Sequence, residues 1–277
     1  ANPGYGVTIK EDYIEAQAAK AKTLVTYENT FRRLHLNQWT TSEVRWVSDE
    51  DFMSCSEQYG PNDLEGRDCF AGLDLASTED LCAYVLIFPP IHEDEPFKTL
   101  VFSWVTEAAV EKRQGKTGAD YNKFIAKGEL DVTPGNVTDY RYISKVILES
   151  ADKYNIRAIA FDRWNSSSLV GDLAEEGLPV EPYGQGFASM SPAIKQLEVF
   201  IKGRQIAHTG NNLLRWNVSN VQAKSDAAGN LKFDKSKSSD KIDVAQAWAM
   251  AVGIWLAKHR SDDDRGSIYD ERDLIIL

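Results

Sequence analysis

Three aspartates occupy positions where a carboxylate is unusual and where it can hold a metal ion. Asp74 lies inside the apolar, strand-like run FAGLDLA, Asp162 ends the run IRAIAFD, and Asp243 opens the alanine-rich segment DVAQAWAMA. Three carboxylates close together raise one another's pKa unless cations neutralise them. Oxygen ligands without His or Cys favour Mg²⁺ or Mn²⁺ over Zn²⁺. Two such ions roughly 3.5–4 Å apart can activate water against a phosphodiester, so the pattern indicates metal-assisted hydrolysis.

Each aspartate also has an ordinary structural explanation. Asp74 can cap a turn, Asp162 can initiate the helix that follows it, and Asp243 can be a first-turn acid that the helix dipole favours. The neighbours of Asp74 argue for a site, because Gly72 and Ala76 share its strand face and leave space beside the carboxylate. The three residues are stronger evidence together than singly.

The surrounding pattern predicts a mixed α/β domain with an N-terminal helical arm. Two apolar runs separated by Ser-Thr-Glu-Asp predict a hairpin, and after a third strand the chain alternates between helices and strands. This order gives a mixed sheet with helices on its faces. The predicted strands are 69–76, 81–89, 97–106, 156–162 and 178–183, with a second hairpin at 222–234. The predicted helices are 11–33, 139–154, 166–176, 191–202 and 239–258, with a polar insertion at 107–138 and an irregular arm at 37–61 packed against the core.

Charge and cysteine content limit which classes of partner and which cellular compartment the chain is expected to have. The net charge of −11 argues mildly against a nucleic-acid partner, because phosphate binding normally shows as a basic excess. Residues 195–241, however, hold nine Lys and Arg against four Asp and Glu. Local sign matters more than the total for docking a polyanion, although a solvated basic face is the ordinary alternative. The three cysteines show no metal-ligand spacing and fit a reduced cytosolic compartment; without a leader or a membrane-spanning run, no secretion is expected.

Four segments carry a resemblance to a known family. FAGLDLAST, IAFDRWNSSSLVGDL, FASMSPAIKQLEVFIKGRQIAH and KIDVAQAWAMA resemble, in this order, the nuclease half of the large terminase subunit of tailed bacteriophages. The resemblance implies an RNase H-like fold, with a five-stranded mixed sheet in which the first strand is central and the fourth lies beside it. It implies that Asp74, Asp162 and Asp243 are the catalytic carboxylates, with Asp74 and Asp162 on neighbouring strands and the Asp243 helix packed over them.

Two further acids are candidate metal ligands. Asp80 follows Asp74 by six residues, where some members of that family carry an auxiliary acid, but it is also a natural hairpin-turn residue. Asp240 lies three residues before Asp243 and is equally suited to be an N-cap. The basic residues that are candidates for DNA phosphate contacts, with ordinary surface charge as the alternative for each, are Arg163, Lys224, Lys232, Lys235 and Lys241.

The resemblance also implies a domain organisation. Residues 1–62 are expected to be an arm leading out of an ATPase domain, residues 63–260 the nuclease domain, and residues 261–277 an acidic tail. No P-loop pattern occurs in this chain, because the Gly115-Lys116-Thr117 run has Val110 at the required earlier glycine position. We therefore expect ATP hydrolysis to belong to another part of the polypeptide.

The resulting expectation is an endonuclease that cuts concatemeric viral double-stranded DNA, without strong sequence specificity, during genome packaging in the host cytoplasm. The partners implied by the resemblance are DNA, an ATPase domain of the same polypeptide, the small terminase subunit and the portal. Two alternative hypotheses about the function stay open. One is another RNase H-like nuclease of the junction-resolvase or integrase type, and the other is a non-catalytic docking module of the packaging motor whose acids only cap turns.

Overall fold

The computed structural model describes residues 10–23, 31, 35, 46–113, 121–163 and 167–265 of the chain. Within these ranges a seven-stranded mixed sheet forms the centre of the domain. Its strands are β1 (Asp68–Asp74), β2 (Cys82–Phe88), β3 (Phe97–Thr106), β4 (Asp131–Thr133), β5 (Asn155–Phe161), β6 (Val180–Pro182) and β7 (Ile206–His208). A separate two-stranded hairpin consists of β8 (Ala223–Ser225) and β9 (Leu231–Phe233).

The helices flank this sheet and follow the predicted alternation. They are α1 (Glu11–Thr23), α2 (Asp49–Met53), α3 (Glu107–Arg113), α4 (Tyr121–Ala126), α5 (Tyr140–Lys153), α6 (Ser167–Glu175), α7 (Phe187–Lys202), α8 (Asn212–Asn220) and α9 (Asp243–Arg265). A 3-10 turn at Pro61–Leu64 precedes β1. No helix in the described ranges is long and apolar enough to cross a bilayer.

The strand order is β4-β3-β2-β1-β5-β6, with β7 paired to the other end of the same edge of β3. The pairs β1–β2 and β2–β3 are antiparallel, whereas β1–β5 and β5–β6 are parallel. The first strand is thus central and the fourth predicted strand, β5, lies beside it, as the resemblance implied. This arrangement places the carboxyl ends of β1 and β5 at one edge of the sheet.

Both faces of the central strands are covered, which explains why β2 is apolar throughout. All seven of its residues are buried, the pattern of a strand packed on both sides. On one face, Val85 and Ala160 pack in a core with α7 and α9. On the other, Tyr84 and Leu86 pack against Ile143 of α5 and its neighbours. The helices therefore hold β1 between two apolar layers.

Helix α9 lies unusually close to the central strand. A Cβ atom added at Gly72 would meet the carbonyl oxygen of Ala247 at 1.9 Å, so the helix backbone rests directly on the strand. The alanine-rich sequence of α9 permits this approach, as the sequence predicted. Because Asp74 shares the strand face of Gly72, the same approach brings the start of α9 to the end of β1.

The structure departs from the sequence predictions in several places. Helix α8 was not predicted, and α9 begins at Asp243 and not at residue 239. Five strands were expected in the sheet, and the described residues form seven. The two additional strands, β4 and β7, have only three residues each, too few to show a period. Helix α7 begins at Phe187 rather than at the Ser191-Pro192 pair, so Pro192 lies inside the helix. The last part of the predicted 11–33 helix beyond α1 falls mostly outside the described residues.

The described part of the predicted arm packs as expected. Trp46 and Phe52 are fully buried. Trp46 meets Phe233 of the β8–β9 hairpin edge to face, with ring centroids 4.8 Å apart, and Phe52 stacks on His208 at 4.0 Å. Large aromatic side chains thus join the arm both to the hairpin and to the edge of the sheet.

Candidate metal centre

Asp74 is the last residue of β1 and one of the few buried acids of the domain. Only 2% of its surface is exposed, and it pairs in register with Ala83 of β2. Gln185, in the loop after β6, donates a 3.2 Å hydrogen bond from Nε2 to Asp74 Oδ1. The position of the carboxylate follows from strand alternation, which turns Gly72 and Asp74 toward α9.

Asp243 is the first residue of α9 and is 3% exposed. The neighbouring Val244 N–H is held by Asn217 Oδ1 at 3.0 Å, so the start of the helix is rigidly placed. The helix dipole favours a carboxylate there. The Oδ2 atom of Asp243 is nevertheless buried without a hydrogen-bond partner among the described residues. A buried carboxylate oxygen in that condition is costly unless a cation is present.

Lys235 joins the two acids. Its Nζ atom lies 3.0 Å from Asp74 Oδ2 and 2.8 Å from Asp243 Oδ1. Although 47% of the side-chain surface is exposed, the charged tip is inserted between two nearly inaccessible carboxylates. One positive charge therefore lies between two negative charges whose carboxylates are themselves nearly inaccessible.

The pKa values of Asp74 and Lys235 reflect the presence of two carboxylates around one ammonium. Burial raises the pKa of Asp74 to about 6, an effect that Lys235 opposes and the nearby Asp243 reinforces. Burial disfavours the charged form of Lys235, but the attraction of Asp74 and Asp243 outweighs it and holds the Lys235 pKa above its usual value. Strongly shifted groups held by specific charge partners are typical of functional sites. The pair would accept further positive charge.

Asp162 is the first residue after β5. Because Leu73 of β1 pairs with Phe161 of β5, Asp162 follows at the same sheet edge as Asp74, and it is half-buried. Across the described ranges, however, no three His, Cys, Asp or Glu side chains form a group that could hold a metal ion. The structure joins Asp74 and Asp243 through Lys235, and Asp162 as the third ligand stays a prediction.

The two auxiliary acids are both engaged in ion pairs. Asp80 pairs with Lys241. Asp240 accepts both ends of the Arg113 guanidinium, with Nη1 3.0 Å from Oδ2. The N-cap interpretation of Asp240 is wrong, because α9 begins only at Asp243. The predicted role of Lys241 at a phosphate has a competitor, since its ammonium is already bound to Asp80.

A pocket of about 330 Å³ opens beside this group. The charged residues that line it are Asp80, Arg113, Lys235, Asp240, Lys241 and Asp243. Three acids and three bases thus surround one opening at the end of the central strand. The pocket gives solvent and ligands a route to Asp243 and to the Lys235 ammonium.

The other candidate phosphate contacts are not among the residues that line this pocket. Lys224 and Lys232 face each other across the β8–β9 hairpin, and the Lys232 ammonium sits 5.1 Å from the ring centre of Phe187. Arg163 is exposed directly after Asp162. Lys235 is bound to Asp74 and Asp243, so its predicted phosphate contact requires that it leave them.

Sequence reasoning missed two residues of the site, Gln185 and Arg113. Gln185 stands between two glycines just after β6, and β6 runs parallel to β5, so a polar residue at that strand end was a usable signal. Arg113 ends α3 and lies over the rings of Tyr121 and Trp216 at 4.5 and 5.5 Å. Nothing in the local sequence of α3 marks its pairing with Asp240.

The donor set fits a hard divalent cation. Carboxylate oxygens are the ligands that Mg²⁺ and Mn²⁺ prefer. The unpartnered Oδ2 of Asp243 and the single ammonium shared with Asp74 show a place that is short of positive charge. The two buried aspartates are therefore suitable ligands.

An RNase H-like α/β sheet with buried carboxylates at the end of its central strand defines the class of protein. The chain belongs to the family "Terminase large subunit, endonuclease domain", whose sequence profile matches residues 1–259. It is similar to the large terminase subunit of Enterobacteria phage HK97, with 32% identity over 273 residues that cover 98% of this chain and 53% of that protein. It is also similar to protein YmfN of Escherichia coli (strain K12), with 30% identity over 283 residues, covering 95% and 60% of the two chains.

Solved structures agree with this assignment. The crystal structure of the HK97 large terminase matches with a TM-score of 0.69 and 33% identity, covering 92% of this chain and 52% of that one. The large terminase nuclease of thermophilic phage G20c matches at 12% identity and a TM-score of 0.50, over 75% of this chain and 96% of that one, which shows a shared fold. The chain spans about half the length of the HK97 protein and three-fifths of YmfN.

Proposed function

We propose that this chain is a metal-dependent endonuclease that cuts double-stranded DNA, without strong sequence specificity, as concatemeric viral DNA is packaged. The observation that carries the proposal is the buried pair Asp74 and Asp243, which share one ammonium while Asp243 Oδ2 has no described partner. The family assignment, to an endonuclease domain, supports the same chemistry.

In this proposal Asp74, Asp162 and Asp243 hold two Mg²⁺ or Mn²⁺ ions. Bound there, the ions would supply an activated water molecule and charge stabilisation for the leaving oxygen of the phosphodiester. The chain's own contribution is positioning. Gln185 orients the Asp74 carboxylate by its hydrogen bond, and the close packing of α9 on Gly72 fixes Asp243 opposite it.

DNA binding is assigned to basic residues of the β8–β9 hairpin and to the residue after Asp162. Lys224 and Lys232 project from the β8–β9 hairpin, and Arg163 follows the predicted ligand Asp162. Positive charge in these positions favours phosphate contacts despite the acidic total of the chain. Backbone contacts of this kind carry little sequence information, which agrees with cutting that lacks strong specificity.

The packaging context supplies the proposed partners. Since the chain spans only part of its relatives, we assign ATP hydrolysis and translocation to an ATPase domain of the same polypeptide. The small terminase subunit and the portal complete the assembly, and the reaction takes place in the host cytoplasm. Co-purification of the chain with its own small subunit or portal tests these contacts.

Cleavage of supercoiled plasmid in Mg²⁺, Mn²⁺ and EDTA tests the activity. Wild-type protein is expected to nick and linearise the plasmid with either metal and to be inactive in EDTA. Asp162→Ala is expected to be inactive in both metals. Asp152→Asn, on the exposed side of α5 away from the site, is the matched control and should cut normally. Cutting that survives Asp162→Ala contradicts the assignment of this ligand.

A binding experiment separates the proposal from a purely structural role of the acids. Mn²⁺ should raise the melting temperature of the wild type, because a ligand that binds only the native state stabilises it. It should not raise that of Asp74→Asn or Asp243→Asn. If Mn²⁺ neither stabilises the protein nor supports cutting, the domain is a docking module of the motor.

A further inference from the structure

The centre of the proposed metal site is occupied by a residue of the chain itself. The Lys235 ammonium contacts Asp74 Oδ2 and Asp243 Oδ1 at 3.0 and 2.8 Å. Both oxygens belong to nearly inaccessible side chains. An inner-sphere Mg²⁺ ion lies about 2.0–2.1 Å from its oxygen ligands. An ion bound to these two oxygens would overlap the ammonium, and the like charges would repel at that distance.

The backbone directs Lys235 to this place. In β9, Leu231 and Phe233 are buried, and Lys235 lies in the turn that directly follows the strand. A tight turn then holds the backbone: Ser238 and Lys237 both donate N–H groups to Asp234 O, at 2.9 and 3.1 Å. The position of the Lys235 Cα atom is thus set by the hairpin.

The same hairpin carries the basic residues that face DNA in the proposed function. Lys224 and Lys232 form a cross-strand pair of like charges, and about half of the Lys235 side-chain surface is already exposed. A phosphate near this hairpin therefore offers the Lys235 ammonium an alternative anionic partner. Rotation about the four single bonds between Cα and Cε of Lys235 can move the ammonium without any change in the hairpin backbone.

We propose that Lys235 is an internal counter-ion that competes with the divalent cation for Asp74 and Asp243, and that a DNA phosphate draws it away. This inference rests on the proposed function, since it uses the same metal ligands. Metal and DNA binding are then linked: each favours the state in which Lys235 has left the carboxylates, so each raises the affinity for the other. The protein without DNA holds its metal weakly.

Mn²⁺ binding without DNA tests the competition directly. The free and bound Mn²⁺ are counted by electron paramagnetic resonance, so the readout does not require cleavage. We expect Lys235→Met to bind Mn²⁺ more tightly than wild type by on the order of tenfold, because the competing charge is gone. Lys237→Met, which removes the same charge two residues away, is the matched control and should bind like wild type. Equal affinities in Lys235→Met and Lys237→Met overturn the inference.

A second variant keeps the test valid if Lys235→Met does not fold. Lys235→Gln keeps a hydrogen-bond donor beside the buried carboxylates and should also bind Mn²⁺ more tightly than wild type. Loss of Mn²⁺ binding in wild type and in every Lys235 variant contradicts the proposed metal site itself. Tight binding in the wild type that removal of Lys235 does not improve contradicts only the competition.

The linkage to DNA has its own measurement. A short duplex with phosphorothioate linkages, which resist cleavage, is added at saturating concentration. In wild type the duplex should tighten Mn²⁺ binding severalfold. In Lys235→Met it should have a smaller effect, because no ammonium remains to be displaced. An equal effect of the duplex in both proteins overturns the part of the inference that assigns Lys235 to the phosphate.

Discussion

The two ends of the central sheet bury polar groups in opposite ways. At one end, Asp74 and Asp243 share a single ammonium and leave a carboxylate oxygen without a described partner. At the other, Tyr59 Oη lies 2.8 and 2.9 Å from the carbonyl oxygens of Thr99 and Ala207 and accepts the Thr99 N–H at 2.8 Å. His208 is equally well satisfied, with Phe52 O at 2.9 Å and the Gly210 N–H at 3.0 Å.

The difference separates a structural cluster from a functional one. Buried polar groups normally have all their hydrogen bonds made, and a fully satisfied network stabilises one arrangement. The Tyr59–His208 cluster meets that rule with neutral groups and joins the arm to the sheet. The Asp74–Asp243 pair breaks it with charged groups, and such exceptions mark places where a ligand completes the structure. Removing a group from the Asp74–Asp243 pair should therefore reduce activity, whereas removing one from the Tyr59–His208 cluster should reduce stability.

Neutralising the carboxylate end should have the largest effect, and only on activity. Asp74→Asn and Asp243→Asn are expected to reduce plasmid cleavage in Mn²⁺ by on the order of 10³-fold or more. In EDTA the melting temperature of Asp74→Asn should equal or exceed that of wild type, because the variant buries one carboxylate fewer and leaves Asp243 and Lys235 as a one-to-one ion pair. A clear fall in melting temperature would assign Asp74 a structural role instead.

Widening the contact between α9 and β1 should reduce both the stability of the domain and its nuclease activity. In Gly72→Ala the new methyl group would lie 1.9 Å from Ala247 O, so helix and strand must separate. We expect a loss of about 3 kcal/mol or more in the free energy of unfolding, measured by urea denaturation. Gly171→Ala, where a Cβ atom meets nothing within 4 Å, is the control. A stable Gly72→Ala protein contradicts the close packing.

Removing one group from the neutral cluster should affect stability alone. Tyr59→Phe deletes the acceptor of the Thr99 N–H and the donor to the neighbouring carbonyl groups. The expected cost is roughly 1–2 kcal/mol, again from urea denaturation. Plasmid cleavage at a temperature where the variant is folded should match wild type. Reduced cleavage there would show that the two ends of the sheet are coupled.

The smallest effect concerns pH. The Gly210 N–H donates to His208 Nδ1, which leaves the proton on Nε2 toward Phe52 O, so the fold holds neutral imidazole. Burial lowers the His208 pKa below its usual value of 6.5. Below about pH 6.5, therefore, His208 binds a proton in the unfolded chain but stays neutral in the native state. The free energy of unfolding then falls as the pH decreases further.

Comparison with His208→Gln isolates this contribution. Between pH 7.5 and pH 5, the wild-type free energy of unfolding should fall more steeply than that of the variant. Parallel pH profiles would contradict the assignment of a neutral buried imidazole. The variant itself is expected to be less stable at neutral pH, since it loses the stacking of His208 on Phe52.

Local patterns predicted much of the molecule. Strands β1, β2, β3 and β5, the hairpin β8–β9 and an alanine-rich last helix that carries Asp243 were all expected, because apolar period and turn composition are encoded over short stretches. The family resemblance placed β5 beside β1. Strands β4 and β7 escaped prediction, because a three-residue strand exists only through its pairing with β3.

The sequence by itself singled out Asp74, Asp162 and Asp243 as the candidate ligands, and it predicted that the small side chains of α9 let this helix pack closely on the sheet. Only the tertiary structure decided their partners. Lys235 is 161 residues from Asp74, and Arg113 is 127 residues from Asp240. No local pattern encodes such pairs, since charged side chains choose among partners by distance and burial, which exist only once the chain has folded.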